Sequence, residues 1–336
     1  VCSGIPLVPI HTNLSSGQIG YILEDSGARV IFVSSPELLG RVTEAESSGA
    51  GGLKIILFDP VPQGGDDVIS WEEFLGRGRK AMEDTSDDDF RREALMVEPD
   101  DTTTILYTSG TTGDPKGVML THNNLFSNAR ATAAVVPFDE TDGTLSFLPL
   151  SHSLQRLADY LFFDSGMTIT YGRSMQTVPE DLRIAQPTKL VAPPRFYEKS
   201  FQKVMEQRGL KGFIVRWARE VGEAWADEKL AGRKPTWILR LVYRLAYRLV
   251  FSKIHEGIGG RAVFFISGSA PLAPEINKFF YSAGIMILEG YGLSETSPVA
   301  TANTPTDFQV GSVGPPIPGT EIKIAKDGEI LIRGPQ

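Results

Sequence analysis

Short apolar runs alternate with amphipathic segments along most of this chain, and this alternation restricts the possible folds more than any other feature. The runs are rich in Val, Ile, Leu and Phe, and they include RVIFVS, KIILFD, TTILYT, TLSFLPL, MTITYG, KLVAPP, AVFFIS and IMILEGYG. Between them lie segments with helical periodicity, such as SGQIGYILEDSG, NNLFSNARATAAVV, PEDLRIAQ and APEINKFFYSAG. Strands that alternate with helices favour parallel sheets covered by helices on both faces. The sequence therefore predicts an α/β fold.

Three other segments give local predictions. The opening segment VCSGIPLVPI has the apolar character of a buried strand. Near the other end, TEIKIAKDGEILIRG places Asp327-Gly328 between two alternating runs, which indicates a β-hairpin and hence antiparallel strands. The acidic stretch MEDTSDDDF, residues 82–90, predicts a solvated loop.

The composition is that of a globular protein, and it argues against several functional classes. With 336 residues, 41% of them hydrophobic, the chain can bury a sizeable core and has the length of two domains. A net charge of -8 argues against a general nucleic-acid binder, whose surface should be basic. A single cysteine, Cys2, excludes an internal disulfide, and the four histidines lack zinc-ligand spacing. No transmembrane run or signal peptide is visible, so the expected location is the cytoplasm.

A loop rich in glycine and hydroxyl groups follows the apolar run TTILYT. Its glycines allow backbone N–H groups to approach an anion, its hydroxyls add donors, and Lys116 adds a positive charge. The pattern predicts a polyphosphate site, although it is neither a Walker loop nor a dinucleotide fingerprint. The alternative is a loop whose glycines and hydroxyls serve turns only. The predicted phosphate-binding residues, besides Lys116, are Thr108, Ser109, Gly110, Thr111, Thr112 and Gly113.

A second motif, LEGYGLSETSP, occupies residues 288–298. Gly290 and Gly292 leave room for a flat base against Tyr291, and Ser294 offers a hydroxyl. Glu295 supplies the type of oxygen ligand that Mg²⁺ prefers. The alternative for Glu295 is a solvated loop carboxylate.

The motifs YTSGTTGDPKG and LEGYGLSETSP together resemble the two nucleotide-binding signatures of the adenylate-forming superfamily. That superfamily includes acyl-CoA synthetases, luciferases and the adenylation domains of peptide synthetases. The resemblance implies that Tyr291 stacks on adenine, that Ser294 contacts the α-phosphate, and that Glu295 binds the metal with Thr108 as a second metal contact. It also implies catalytic roles for Lys116 and Glu295. ISGSAPLAPE, residues 266–275, resembles the adenine-side turn of the family, which adds the nucleotide contacts Gly268, Ser269, Ala270 and Pro271.

Two histidines have different expected roles. His152 lies in LPLSHSLQRL, where the family tends to place a histidine or an aromatic residue near the substrate carboxylate, so the resemblance implies a catalytic or gating role. The alternative is a hydrogen-bonded structural histidine. His122, with Thr121 and Asn123, predicts the start of a helix.

The resemblance implies an ATP-dependent reaction in which a substrate carboxylate attacks the α-phosphorus and pyrophosphate leaves. A thiol, usually coenzyme A, then displaces AMP. The resemblance is closest to long-chain fatty acyl-CoA synthetases, through FLPLSHSLQRLADYLFFDSGMTITY, TVPEDLRIAQPTKLVAPPRFYEK and a long insertion at about 206–260. Gln155 and the segment VAPPRFYEK depart from the usual pattern and leave the acyl-chain preference open. Two alternatives remain: an adenylating enzyme for an aryl or shorter-chain acid, and a non-catalytic fragment that binds a nucleotide or an acyl group.

The insertion contains a basic apolar helix, KPTWILRLVYRLAYRLVFSKI. Arg240, Arg244 and Arg248 are four residues apart, which places them in one stripe. Residues 229–254 contain seven basic and no acidic side chains. One interpretation is peripheral contact with an anionic membrane through 237–254. The other is a packed helix whose arginines pair with the protein's own carboxylates.

The resemblance also implies a division of the chain into parts. Residues 1–100 would belong to a first α/β subdomain, 101–300 to a nucleotide- and acyl-binding subdomain, and 301–336 to the start of an antiparallel subdomain. The N-terminal part of the family's large domain and its mobile C-terminal domain are expected to lie outside this chain. The 336 residues alone are therefore expected to bind ATP weakly and to catalyse little.

Overall fold

Short strands flanked by helices make up both parts of the protein. A computed structural model describes residues 4–46, 52–59, 67–83, 85–108 and 114–336. The chain divides into two compact units, residues 1–123 and 124–336.

In the first unit, a parallel sheet packs against helices, and a separate antiparallel hairpin follows it. The sheet has the order β1-β2-β3, and the hairpin consists of β4 and β5. Helix α1 begins with a capping box in which Ser15 and Gln18 exchange hydrogen bonds. The elements are α1 (Ser16–Ser26), β1 (Val30–Val33), α2 (Pro36–Glu46), β2 (Lys54–Leu57), β3 (Val68–Ser70), α3 (Trp71–Glu83), α4 (Asp87–Ala94), β4 (Thr102–Thr108) and β5 (Lys116–Thr121).

In the second unit, the main sheet has the order β11-β10-β9-β8, in which β8, β9 and β10 are parallel and β11 is antiparallel. Strands β6 and β7 form a parallel pair, and β12 and β13 form an antiparallel pair. The elements from the unit boundary onward are α5 (His122–Ala133), β6 (Gly143–Ser146), α6 (Ser153–Asp164), β7 (Thr168–Tyr171), α7 (Val178–Ala185), β8 (Lys189–Ala192), α8 (Pro194–Met205), α9 (Gly209–Leu230), α10 (Trp237–Ala246), a π-helical segment (Tyr247–Phe251), α11 (Ser252–Gly257), β9 (Phe264–Ser267), α12 (Pro274–Ser282), β10 (Met286–Tyr291), a 3₁₀ turn (Ser294–Thr296), β11 (Thr301–Ala302), β12 (Glu321–Ile324) and β13 (Ile330–Arg333).

The sheets confirm the predicted α/β fold. Strands β8, β9 and β10 are almost continuously apolar because the strands of a covered parallel sheet are buried on both faces. The predicted hairpin near the C-terminus is also present, with Gly328 at φ 91° in the turn between β12 and β13. His122 begins α5, as predicted.

Two local predictions are wrong. Within the described part of the opening segment, only Leu7 pairs with another strand, through an isolated bridge to Thr104, and the Ile5 side chain is 66% exposed. Pro6 and Pro9 have no N–H to donate, so they interrupt a ladder. The acidic stretch is largely helical, because α3 extends to Glu83 and α4 begins at Asp87.

The insertion folds as a long helix, α9, followed by the continuous helical stretch from α10 to α11. Tyr243 on α10 stacks on Trp225 of α9, with ring centroids 4.1 Å apart, and its hydroxyl donates to the Ser282 carbonyl oxygen at 2.8 Å. No helix in the described ranges has both the length and the apolar character needed to cross a lipid bilayer.

Candidate functional site

The ends of the glycine-rich loop are held together by the β4–β5 hairpin. Thr108, the last residue of β4, pairs with Lys116, the first residue of β5, and the Lys116 side chain is exposed. Gly117 follows at a position where a Cβ would lie 2.8 Å from the Ile105 side chain. The loop residues 109–113, for which phosphate contacts are predicted, lie outside the described residues. The hairpin therefore places Thr108 and Lys116 side by side at the base of the loop.

The second motif forms the end of β10 and the 3₁₀ turn after it. The Thr296 hydroxyl accepts a hydrogen bond from the Leu293 N–H at 2.9 Å and donates to the Pro298 carbonyl oxygen at 2.8 Å. These two contacts close the turn around Glu295, whose side chain is exposed. The Ser294 hydroxyl lies 3.4 Å from the hydroxyl of Ser153, the first residue of α6.

A buried asparagine on α5 fixes the chain after Glu295. The Asn128 side-chain amide donates to the carbonyl oxygens of Thr296, at 3.2 Å, and Val299, at 2.7 Å. Its side-chain oxygen accepts from the Val299 N–H at 3.2 Å, and the residue is fully buried. A single side chain therefore satisfies three backbone groups of this segment.

The motif glycines are required by contacts within the protein itself. A Cβ on Gly292 would lie 1.6 Å from the Pro298 carbonyl oxygen, and one on Gly290 would lie 3.0 Å from the Thr301 carbonyl oxygen. Any larger residue at 292 would therefore displace the backbone.

The predicted adenine-side turn follows β9 and is tied to β10 by a buried carboxylate. Ser269 has a φ of 72°, in the left-handed region. Glu289, which is 5% exposed, accepts hydrogen bonds from the Leu272 N–H at 3.2 Å and from the Asn277 side-chain amide at 3.1 Å. Glu289 therefore holds the end of the turn and the start of α12 against the sheet.

One cavity of about 220 Å³ collects most of the predicted residues of the second unit. Of the predicted site residues, its lining includes His152, Gly268, Ser269, Gly290, Tyr291, Gly292 and Ser294. The rest of the wall is mainly apolar and includes Val136, Phe138, Leu157, Leu161 and Phe162. Ala270, Pro271 and Glu295 are not part of this lining.

His152 has the structural role considered for it, and it also lies in the cavity wall. It is the N-cap of α6, where its Nδ1 accepts a hydrogen bond from the Leu154 N–H at 3.3 Å. The same residue lines the cavity. The structural role is therefore observed, and the catalytic role remains a prediction.

Several polar residues of the cavity wall are not evident from the sequence. Thr132 and Ser267 line the cavity with buried hydroxyl oxygens that have no hydrogen-bond partner among the described residues. Glu289 and Asn303 also line it. Ser267 is the last residue of β9 and pairs with Glu289 of the neighbouring parallel strand β10, and this position near the carboxyl ends of parallel strands is a sequence signal that could have identified them. Thr132 lies inside an ordinary amphipathic helix and gives no such signal.

The residues that could bind a metal suit magnesium bound partly by substrate phosphates, and they do not form a complete set of protein ligands. Across the described ranges, no group of three or more His, Cys, Asp or Glu side chains is arranged to hold a metal ion. Magnesium commonly binds through one or two carboxylates together with substrate phosphates. The exposed Glu295 carboxylate, on a turn closed by Thr296, has the chemistry that this mode requires.

Comparison with known proteins identifies the class and then the family. Parallel sheets flanked by helices match the N-terminal domain of adenylate-forming enzymes: the TM-score is 0.67 with a Mycobacterium tuberculosis fatty acyl CoA synthetase, at 19% identity over 98% of this chain and 55% of that chain. It is 0.63 with a benzoate CoA ligase from Burkholderia xenovorans LB400, also at 19% identity, over 98% of this chain and 54% of that chain. The family described as AMP-binding enzyme matches residues 2–336, and the chain belongs to it. The resemblance inferred from the two motifs is thereby confirmed.

Among curated proteins, the chain is similar to the long-chain-fatty-acid–CoA ligase FadD15 of Mycobacterium bovis. The two are 32% identical over 335 residues, which cover 98% of this chain and 54% of that protein. The chain spans about half the length of the curated relatives it matches.

Proposed function

We propose that this chain is the nucleotide- and acyl-binding part of an ATP-dependent acid–CoA ligase that acts on long-chain fatty acids. The observation that carries the proposal is the composition of the cavity wall. Apolar side chains such as Phe138 and Phe162 share one cavity with Tyr291 and Ser294 of the nucleotide motif. An apolar chain and the group that becomes adenylated would therefore fit in one cavity. The name of the similar FadD15 protein, a long-chain-fatty-acid–CoA ligase, supports the same class of acid.

In this proposal, the chain positions and neutralises the reacting groups and supplies no nucleophile. An oxygen of the fatty-acid carboxylate forms a bond to the α-phosphorus of ATP, and the bond from that phosphorus to the bridging oxygen breaks, so that pyrophosphate leaves with the electron pair. Lys116 and the N–H groups and hydroxyls of residues 108–113 would bind the phosphates. Tyr291 would stack on the adenine beside residues 268–271, and the Ser294 hydroxyl would contact the α-phosphate.

Magnesium held by Glu295, with Thr108 as a second contact, would supply positive charge to the phosphates. His152 would lie beside the substrate carboxylate and gate the cavity. In the second half-reaction, the coenzyme A thiol loses its proton and its sulfur bonds to the acyl carbon. The bond from that carbon to the phosphate oxygen breaks, and AMP leaves with the electron pair. We further propose that residues 101–300 carry these sites and that 206–260 form an insertion, in a cytoplasmic protein.

A second candidate substrate is an aryl or shorter-chain acid. The cavity volume of about 220 Å³ favours it, because drug-sized ligands occupy pockets of roughly 300–1,000 Å³. Similarity to the benzoate CoA ligase structure also keeps this candidate open.

The test measures acyl-CoA formation by the natural protein with palmitate, octanoate and benzoate, using mass spectrometry to identify both the acyl-adenylate and the thioester. The proposal predicts the highest kcat/KM for palmitate. A higher value for octanoate or benzoate would replace the long-chain assignment with the second candidate. If none of the three acids yields an adenylate, the ligase proposal fails.

A further inference from the structure

We propose that the outer face of the insertion helix docks on an anionic lipid surface. The outer face is defined here as the exposed side of residues 237–249. It is separate from the cavity, and the inference does not depend on the proposed ligase activity.

The helix is firmly attached to the protein by its opposite side. Ala246 and Phe251 are fully buried, and Tyr243 makes the stacking and hydrogen-bond contacts to Trp225 and Ser282 described above. The Phe251 ring also lies where a Cβ on Gly222 of α9 would be 2.5 Å away. The helix therefore packs against the protein through its inner side, and this packing leaves the outer face exposed.

The outer face exposes several large apolar side chains to solvent. The side chain of Trp237 is 69% exposed, and that of Leu241 is 59% exposed. The other large apolar side chains of this face are Ile238, Leu245 and Leu249. A contiguous exposed apolar strip of this kind marks an interaction surface more often than isolated exposed residues do.

Exposed basic side chains border the strip. Arg240, Arg244 and Arg248 are exposed, and within the described ranges none of them forms an ion pair. Nearby Arg233, by contrast, forms two hydrogen bonds with Glu228, both at 3.0 Å. The interpretation in which the arginines of the stripe pair with the protein's own carboxylates is therefore wrong for the described carboxylates.

The apolar strip and the arginines beside it together indicate an anionic lipid surface as the partner. A basic stripe beside exposed Trp, Ile and Leu side chains is typical of a helix that lies in the plane of a membrane interface, where the apolar side chains enter the acyl boundary and the arginines bind lipid phosphates. Residues 229–254 carry seven positive charges and no negative charge within a chain of net charge -8. This charge separation would orient the insertion towards an anionic surface.

The direct test is co-sedimentation of the natural protein with phosphatidylcholine vesicles that contain or lack phosphatidylserine. We expect binding to the anionic vesicles that exceeds binding to neutral ones and weakens with salt. Replacing Arg240, Arg244 and Arg248 together with Gln should weaken that binding on the order of 100-fold. The matched control replaces Arg77, Arg79 and Lys80 on α3 with Gln, which removes the same charge from another helix and should leave vesicle binding almost unchanged.

A second readout reports on insertion. Brominated lipids should quench the fluorescence of Trp237, and Trp237→Phe should remove most of the quenching while leaving the thermal unfolding temperature unchanged. Equal binding to both vesicle types, or full binding by the arginine variant, would overturn the proposal. So would a self-association that the arginine variant abolishes in the absence of vesicle binding, since the face would then be an interface between two copies. Loss of vesicle binding with intact acyl-CoA formation would leave the proposed function standing.

Discussion

At the scale of single residues, the geometry of the turn that carries Glu295, the proposed magnesium ligand, depends on Asn128. Its three hydrogen bonds hold the backbone between Thr296 and Val299, directly after Glu295. A buried backbone group that loses its partner costs free energy, and here three groups would lose theirs together.

We therefore expect Asn128→Ala to lower the free energy of unfolding by about 1–3 kcal/mol. We also expect a lower rate of acid-dependent ATP–pyrophosphate exchange, because Glu295 would no longer be held in one position. Denaturant unfolding and exchange assays measure the two effects. Ser127→Ala is the control, since the Ser127 hydroxyl donates to the Asn124 carbonyl oxygen of the same helix. An unchanged free energy of unfolding and an unchanged exchange rate in Asn128→Ala would show that the turn keeps its conformation without Asn128.

At the scale of elements, helix α6 carries a buried carboxylate that makes its stability depend on pH. Burial raises the pKa of the Asp159 carboxyl, although hydrogen bonds from Gln155, at 2.7 Å, and Ser146, at 3.0 Å, oppose that shift. In the unfolded chain an aspartate titrates near ~3.9. The folded protein therefore keeps this proton to a higher pH than the unfolded chain does. The contribution of Asp159 to the free energy of unfolding is lost as the pH rises through the folded pKa.

Asp159→Asn removes the charge and keeps the size of the side chain. We expect the unfolding temperature of the variant, relative to the natural protein, to be higher at pH 8 than at pH 4, because only the natural protein carries the buried charge at pH 8. Differential scanning calorimetry at the two pH values measures this. Asp164→Asn, at the exposed end of α6, is the control and should show little pH-dependent difference. If the difference in unfolding temperature between Asp159→Asn and the natural protein is no larger at pH 8 than at pH 4, burial of the Asp159 charge does not destabilise the fold.

The same scale shows what local sequence could predict. The strands of the main sheet are predictable because burial on both faces makes them continuously apolar, and the hairpin near residue 328 because the turn requires a positive φ. The acidic composition of residues 82–90 predicts a loop, whereas the capping box of Ser86 and Asp89 begins helix α4 in the same stretch. Asn128 gives no signal in the sequence for a different reason: its partners Thr296 and Val299 are distant in sequence and are brought to it only by the fold.

At the scale of the whole molecule, the family and the fold were accessible from two short motifs, whereas the choice of acid was not. In the proposed function, the motifs bind the nucleotide, which is the part of the reaction that all members share. In the same proposal, the acid is selected by cavity-wall residues such as Thr132, Phe138 and Phe162, which come from helices and loops without a common pattern. Similar folds consequently occur in proteins described as acting on fatty acids and on benzoate.

The most direct test of the central claim is acid-dependent ATP–pyrophosphate exchange by the natural protein, two site variants and two control variants. Lys116→Ala and Glu295→Gln should each lower the exchange rate by about 100-fold or more, since each removes charge stabilisation of the phosphates. Lys326→Ala and Glu329→Gln, on the exposed hairpin near the C-terminus, should exchange at the natural rate. Exchange at the natural rate in Lys116→Ala and Glu295→Gln, or no exchange by the natural protein with any of palmitate, octanoate and benzoate, would contradict the claim that these residues activate an acid through ATP.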